Sequence, residues 1–367
     1  MSTSISPKKF KFSLFAGATL LFFLLNGAAS IWFAKYKENV HEDFAAQALQ
    51  ASPTKPDVVF AGSSTVLYPM YALDSSSYGP QPGFEQYTRV HFVEDALSRE
   101  TKRKVQVNNI SFLGFMISDD LFVIKNYLEG KHAPETLVLM VAPRDFCDSL
   151  FESPAAGVAF RKLSSWSNTI EFCGTYLTQP NDYIDFLLGK GVFTYAMRAK
   201  IQDKLYDYVA DKQAAGQPVQ PITASATPDQ KWAKSIREYS TRYKNISFEK
   251  MQKQFVFLNR LLNTCKERDI RVILVNAPLT KRSLEMLPAG LYDSYCNQLA
   301  NAAKTNHCRY SDFSHSAAFS NDDFSDIVHL NQVGAKKVVE AILPNVRESM
   351  SNEPLKTATT TDNKRPL

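Results

Sequence analysis

The run VVFAG at 58–62 has no polar side chain, yet it ends at two serines and a threonine. Three further β-rich runs follow it: VQVNNIS at 105–111, TLVLMVA at 136–142 and RVILVNA at 271–277, with a weaker fifth, CRYSDF, at 308–313. Strands that are apolar along their whole length must be covered on both faces, and a parallel sheet between two helical layers supplies that cover. Helical patterns lie between the runs as this requires. Ser118-Asp119-Asp120 offers capping residues ahead of Leu121, Ile124, Tyr127 and Leu128, with Gly130 as a stop. Phe255 to Lys266 carries Phe257, Leu258, Leu261, Leu262 and Cys265 at helical spacing, and a last helix starts near Gln332 and repeats Val338, Val339, Ile342 and Leu343.

One interval breaks the alternation. More than a hundred residues separate TLVLMVA from RVILVNA, far beyond the needs of a crossover. Residues 151–267 therefore read as a helical insertion, with helices over Asn181 to Lys212 and Gln230 to Tyr243 and a Gln/Ala/Pro-rich linker at Gln213 to Pro228. Trp166, Phe172, Tyr176, Phe186 and Phe193 serve either as the insertion's own core or as a lid over an acyl chain.

The amino terminus is of another kind. Lys8, Lys9 and Lys11 precede an uncharged stretch from Phe12 to Ala34, after which Lys35, Lys37 and Glu38 return the chain to water. At ~1.5 Å per residue such a stretch spans a ~30 Å hydrocarbon layer as a helix. Gly27-Ala28-Ala29-Ser30 would suit a signal peptidase, but Ile31-Trp32-Phe33 carries the apolar run past that point, so residues 12–34 are expected to be an uncleaved anchor. The basic flank puts residues 1–11 in the cytoplasm and the bulk of the chain outside the cell membrane, in the periplasm or at the cell surface. Residues 35–55 are a linker, residues 56–150 with 268–349 the α/β domain, and 350–367 a disordered tail.

With 42 basic and 37 acidic residues, a net charge of +5 and no basic stripe interleaved with aromatics beyond the first forty positions, nucleic acid is not an expected partner. The five cysteines fit two readings: bridges at Cys296–Cys308 and Cys147–Cys173 with a buried Cys265, or five packed thiols. No metal site is expected, because no cysteine pair has ligand spacing, and Asp322, Asp323 and Asp326 share a single loop without a second cluster. No cofactor is expected either.

In an open parallel sheet, ligands sit beyond the carboxyl ends of the strands. Ser63 and Ser64 occupy that end of the first strand, and Gly62 allows the sharp turn that would aim a hydroxyl into the crevice. Near the other end of the chain, Asp326-Ile327-Val328-His329 places a carboxylate three residues before an imidazole. A serine hydroxyl needs an imidazole to take its proton, and the imidazole needs a carboxylate to hold its tautomer. His41, His91, His132, His307 and His315 lie beside no such partner.

This arrangement resembles the SGNH, or GDSL, hydrolase superfamily. Gly62-Ser63-Ser64 looks like the family's Gly-Asp-Ser block, with Ser63 where aspartate is usual, and Asp326-Ile327-Val328-His329 followed by Leu330, Asn331 and Gly334 looks like its final block. Asn109 to Gly114 is similar to the block whose glycine amide contributes to the oxyanion hole. Ala142-Pro143-Arg144-Asp145 departs from the family's Gly-x-Asn-Asp, so that Arg144 replaces an asparagine donor. The resemblance implies a three-layer αβα, flavodoxin-like parallel sheet of SGNH type, with Ser64, Asp326 and His329 catalytic and Gly114 and Arg144 at the oxyanion.

Arg144 could also grip an anionic substrate group, or pair with Asp145 or Asp148 as structure only. With an anchor, the resemblance extends to envelope-modifying members that transfer D-alanyl or O-acetyl groups. It thus implies a membrane-anchored acyltransferase or esterase acting on a cell-envelope polysaccharide or other acyl ester, with a membrane protein as acyl donor. The alternative is a non-catalytic envelope scaffold that keeps the fold and binds a partner.

Overall fold

The apolar runs form a five-stranded, wholly parallel sheet: β1 (Val58–Gly62), β2 (Val107–Asn109), β3 (Thr136–Val141), β4 (Arg271–Asn276) and β5 (Arg309–Asp312). Their spatial order is β2-β1-β3-β4-β5. The computed structural model describes residues 7–32, 54–166, 173–192, 195, 232–314 and 316–351. Every residue of β1, β2 and β3 is buried, which is why those strands show no polar alternation. Seven longer helices accompany the sheet: α1 (Ser64–Tyr78), α2 (His91–Thr101), α3 (Ile117–Tyr127), α4 (Ala233–Arg242), α5 (Phe248–Glu267), α6 (Leu291–Thr305) and α7 (Gln332–Met350). α7 packs on α1 and α2 over one face, and α5 packs on α3 and α6 over the other, giving three layers.

The chain divides into two units, one of Met1–Glu42 with Ser164–Thr223 and one of Asp43–Leu163 with Ala224–Leu367. The sheet unit thus includes α4 and α5, and α5 is the helix that delivers the chain to β4. In the other unit, Pro7–Trp32 and Pro180–Gly191 are helical. Asp182 starts the second of these by accepting from the amides of Thr178 and Gln179, both at 2.9 Å. Trp166 packs edge-on against Phe186, and Tyr176 is buried. Phe172, Phe193 and the linker at 213–228 lie outside the described residues, as do the linker at 35–53 and the tail from 352.

The expected anchor is helical over Pro7–Trp32, but its side chains are described continuously only for residues 15–28. Among the described residues no helix is long and apolar enough to cross a membrane. The described cysteines are all free thiols, so neither bridge is formed.

Helix starts differ from the sequence reading where a backbone amide finds a better partner. α3 begins at Ile117, and Asp119 sits inside its first turn, reaching back to accept from the Met116 amide at 3.0 Å. Ser118 instead exchanges hydrogen bonds with Gln254 of α5, which locks the two helices of that layer together.

Two glycines separate backbone strain from crowding. Gly62 at φ +133 has no room for a side chain, since a Cβ there would lie 2.3 Å from the Met140 carbonyl oxygen and 2.7 Å from Val66 Cγ2. Gly79 at φ +88 ends α1 in open space. Gly79→Ala should cost about 1–2 kcal/mol from left-handed strain alone, and Gly62→Ala about 1–3 kcal/mol more from overpacking. Urea unfolding midpoints of the two variants check this, and equal losses would refute the close approach at Gly62.

Candidate active site

The strand order reverses between β1 and β3, the point of an open α/β sheet beyond whose carboxyl ends ligands bind. β1 ends at Gly62, Ser63 caps α1 by accepting from the Thr65 amide, and Ser64 is the first helical residue. The Ser64 amide therefore belongs to the first turn of a fifteen-residue helix, whose leading N–H groups have no intrahelical acceptor.

The loop at 321–331 reaches the same place from the other end of the chain. Asn331 caps α7 through the amides of Val333 and Gly334, and its own amide donates to the Asp323 carbonyl at 2.9 Å. A Cβ on Gly334 would meet that same carbonyl oxygen at 2.3 Å, so glycine permits the close seat of loop on helix. Lys337 holds the Asp323 carboxylate at 2.8 Å, the Ser325 amide donates to the His329 carbonyl, and Thr280 Oγ1 donates to the Ile327 carbonyl at 2.6 Å.

So fixed, Asp326 Oδ2 lies 2.7 Å from His329 Nδ1, and His329 Nε2 lies 2.9 Å from Ser64 Oγ. Asp326 Oδ1 accepts from the amides of Val328 and His329, both at 2.8 Å. Burial alone would raise the Asp326 carboxyl, but the His329 ring and these two amides outweigh it, and the group sits below its usual range. A carboxylate facing Nδ1 selects the tautomer with hydrogen there, which leaves Nε2 to accept from the Ser64 hydroxyl. The three side chains thus form one unbroken hydrogen-bonded chain from Ser64 Oγ to the Asp326 carboxylate.

Gly114 and Arg144 lie together. A Cβ on Gly114, at φ +80, would be 3.8 Å from Arg144 Nη2. The loop bearing Gly114 is tied to the turn that carries Ser64 by the Phe112 amide, which donates to the Gly62 carbonyl at 3.1 Å. Arg144 is only 2 % exposed. Its Nε donates to Asp148 at 2.9 Å, and its Nη1 donates to the Phe115 carbonyl at 2.9 Å and Asp145 at 3.3 Å. Nη2 is buried with no hydrogen-bond partner among the described residues. Burial would lower the guanidinium, but Asp145 and Asp148 more than offset it and hold the charge. Both structural pairings read from the sequence are thus made, with one donor left over.

Several participants carry no motif. The Ser63 hydroxyl lowers the Asp145 carboxyl and the Gly62 amide lowers that of Asp120, each against a larger rise from burial, so two buried carboxylates lie close to the turn that carries Ser64. Arg242 of α4 pairs with Asp148 at 2.6 Å, and Tyr239 of the same helix approaches the His329 ring at 6.4 Å. Tyr68 approaches it more closely, at 4.7 Å. The one available signal was spacing, since Tyr68 is four residues after Ser64 and so shares its helix face. Among the described residues no His, Cys, Asp and Glu group could hold a metal ion, and His41 and His315 lie outside them.

A protein-family model matches residues 223–351, a stretch short of half the chain that contains Tyr239, Asp326 and His329. No curated protein matches the sequence. Among solved structures the chain is similar to TesA, at 9% identity and a TM-score of 0.39 over 80% of this chain and 98% of that one. It is also similar to a protein described as a GDSL-like lipase from Parabacteroides merdae, at 11% identity and a TM-score of 0.38 over 81% and 98% of the two chains. A third is a catalytic mutant of Axe2, an acetylxylan esterase from Geobacillus stearothermophilus, at 12% identity and a TM-score of 0.38 over 82% and 96%.

The relay makes a titration prediction. A depressed carboxyl keeps its charge as pH falls past the ordinary Asp value of ~3.9, and any stability it lends is present above that value and lost only as pH drops through the lower, folded one. A carboxyl-carbon NMR titration should therefore give Asp326 a midpoint below 3.9 in the wild type and an ordinary or raised one in His329→Ala. A wild-type midpoint at or above the ordinary value removes the Asp326–His329 pairing.

Proposed function

We propose that the chain is a serine acyl-ester enzyme of the SGNH type, an esterase or acyltransferase. The carrying observation is the unbroken chain from Asp326 through His329 to Ser64, at 2.7 and 2.9 Å, joining residues 265 apart in sequence. Ser64 Oγ attacks the ester carbonyl while its proton passes to His329 Nε2. The carbon–oxygen bond to the leaving alcohol then breaks, and His329 returns the proton to that alcohol. Water or an acceptor hydroxyl attacks the acyl-enzyme, gives its proton to Nε2, and Ser64 Oγ recovers it as the acid or the new ester departs.

Charge on the tetrahedral oxygen is met in this proposal by the amides of Ser64 and Gly114 and by Arg144 Nη2. That oxygen would be the partner the buried Nη2 lacks. Hydrolysis and transfer share every step up to the acyl-enzyme, and the choice lies with what attacks it. The envelope setting belongs to the same proposal. A helix whose described Leu20 to Leu25 are all exposed and apolar suits a lipid neighbour, and a basic flank suits the cytoplasmic side. Anchoring would keep Ser64 near a membrane-borne acyl donor and a polysaccharide acceptor outside the cell membrane.

A fluorophosphonate probe should label the wild-type protein on Ser64 and leave Ser64→Ala unlabelled. Failure to label the folded wild type supports the scaffold instead, because the probe requires an activated hydroxyl. Asp326→Asn keeps the Oδ1 acceptor but loses the charge, and should lower kcat/KM on an aryl acetate by about 10³–10⁴-fold.

Arg144→Lys keeps a cation beside Asp145 and Asp148 while removing the fork. It should slow acylation by about 10²–10³-fold in kcat, measured below the variant's unfolding midpoint, which should fall as the Phe115 and Asp148 contacts are lost. An unaltered acylation rate would assign Arg144 to structure alone.

A further inference from the structure

The face of α1 that presents Ser64 also presents Tyr68 one turn later, and next to it Tyr71. Both tyrosines are half-buried, as is Phe84, which lies in the loop after α1. Phe84 contacts both tyrosines, with ring centroids 4.8 Å from Tyr68 and 4.6 Å from Tyr71. The Tyr68 ring is inclined 54° to His329 and 68° to Phe84, so neither neighbour stacks in parallel on it.

The surround is rigid. Tyr71 Oη donates to the Gln81 carbonyl at 3.2 Å, and Tyr87 Oη donates to the buried Asp74 at 2.7 Å, so both ends of the loop bearing Phe84 are fixed.

Packing alone does not call for an aromatic surface left part-open beside the imidazole of a proton relay. We propose that Tyr68, Tyr71 and Phe84 form the acceptor subsite, and that it takes a neutral pyranose ring. This rests on the acyl-enzyme reading above. A sugar ring has an apolar C–H face that lies on an aromatic ring and an equatorial rim of hydroxyls that hydrogen-bond at its edge.

With the ring on Tyr68, less than 5 Å from His329, one ring hydroxyl reaches Nε2. That hydroxyl gives its proton to Nε2 as its oxygen bonds the acyl carbon, and the bond from that carbon to Ser64 Oγ breaks as Oγ takes the proton back.

The local charge selects the neutral ring. Burial raises the Tyr68 phenol, and the carboxylates of Asp326 and Glu238 raise it further, which places negative potential at the platform. Arg242 does not cancel it, because one guanidinium serves both Glu238, at 2.8 Å, and Asp148, at 2.6 Å. Arg144 is likewise committed to Asp145 and Asp148. A uronate or phosphorylated sugar would meet repulsion, whereas a neutral sugar finds acceptors for its hydroxyls.

The test loads purified full-length protein with p-nitrophenyl acetate and divides the acyl-enzyme among acceptors. A burst of p-nitrophenolate reports the acyl-enzyme by itself. Cellotetraose, oligomannuronate and 1-butanol are then offered separately, and mass spectrometry gives the ratio of acetylated acceptor to free acetate. This ratio does not depend on how fast the acyl-enzyme forms.

Cellotetraose should give the highest ratio, and Tyr68→Ala and Phe84→Ala should each lower it about tenfold, while Tyr68→Phe keeps most of it. Equal ratios for butanol or oligomannuronate overturn the proposal, as does an unchanged ratio in both alanine variants. A folded wild type that takes no fluorophosphonate label on Ser64 refutes the acyl-enzyme. Saturation-transfer NMR of cellotetraose then judges the subsite separately, and binding that is absent, or equal in wild type and Tyr68→Ala, overturns it.

Discussion

Where β1 leaves the sheet, its backbone passes so close to β3 that a side chain on Gly62 would fall within 2.3 Å of the Met140 carbonyl oxygen. The rest of the site depends on this contact. The chain turns there at φ +133, Ser63 caps a helix directly afterwards, and Ser64 arrives at the crevice at the start of that helix. An ordinary residue at 62 would have to push the strands apart or move the turn outwards. Either change would carry Ser64 away from His329, whose loop is independently fixed to α7 by Asn331 and to Thr280.

Beneath the turn lies a group of buried charges that the sequence motifs alone would not require. Asp145 accepts from the Ala142 amide at 2.9 Å, and the Gly62 amide and the Ser63 hydroxyl act on Asp120 and Asp145 respectively. Arg144 and Arg242 share Asp148. Burying such groups is costly unless each finds partners, and removing one partner leaves a charge uncompensated. The network gives a reason for serine at 63: with Asp145 and Asp120 already below the turn, a hydroxyl donates where another carboxylate would only add like charge. Through Arg242 it also ties α4 to the floor of the site, which brings Tyr239 near His329 although α4 follows the long insertion.

The sheet was largely legible because burial on both faces leaves a signature that needs no context, and four of the runs contain the strands within one or two residues of their ends. The relay was legible because its carboxylate and imidazole lie three residues apart in one loop and its serine follows a strand. Tyr68 and Tyr239 were not, since an aromatic residue on an amphipathic helix reads the same whether it faces a core or an imidazole. Ser118 illustrates the opposite failure. Its local propensity suggested a cap, but Gln254, 136 residues away, competes for it within the packed layer. The cysteines were open between two readings because spacing along a chain does not report whether two thiols meet, and the described ones remain free.

Two carboxylates near the nucleophile have opposite fates, and this separates their roles more firmly than distance does. Asp145 is raised, since complete burial outweighs Arg144 and the Ala142 amide. Asp326 is lowered, since the imidazole and two backbone amides outweigh its burial. A group that must steady an imidazolium has to remain charged while the proton is on the ring, and the lowered carboxyl is the one whose surroundings favour that charge. A group that supports a turn needs only an oxygen that accepts, which a carboxyl provides in either state. On the proposed acyl-enzyme reading these surroundings suit Asp326 to the relay and Asp145, one of the two carboxylates paired with Arg144, to the scaffold.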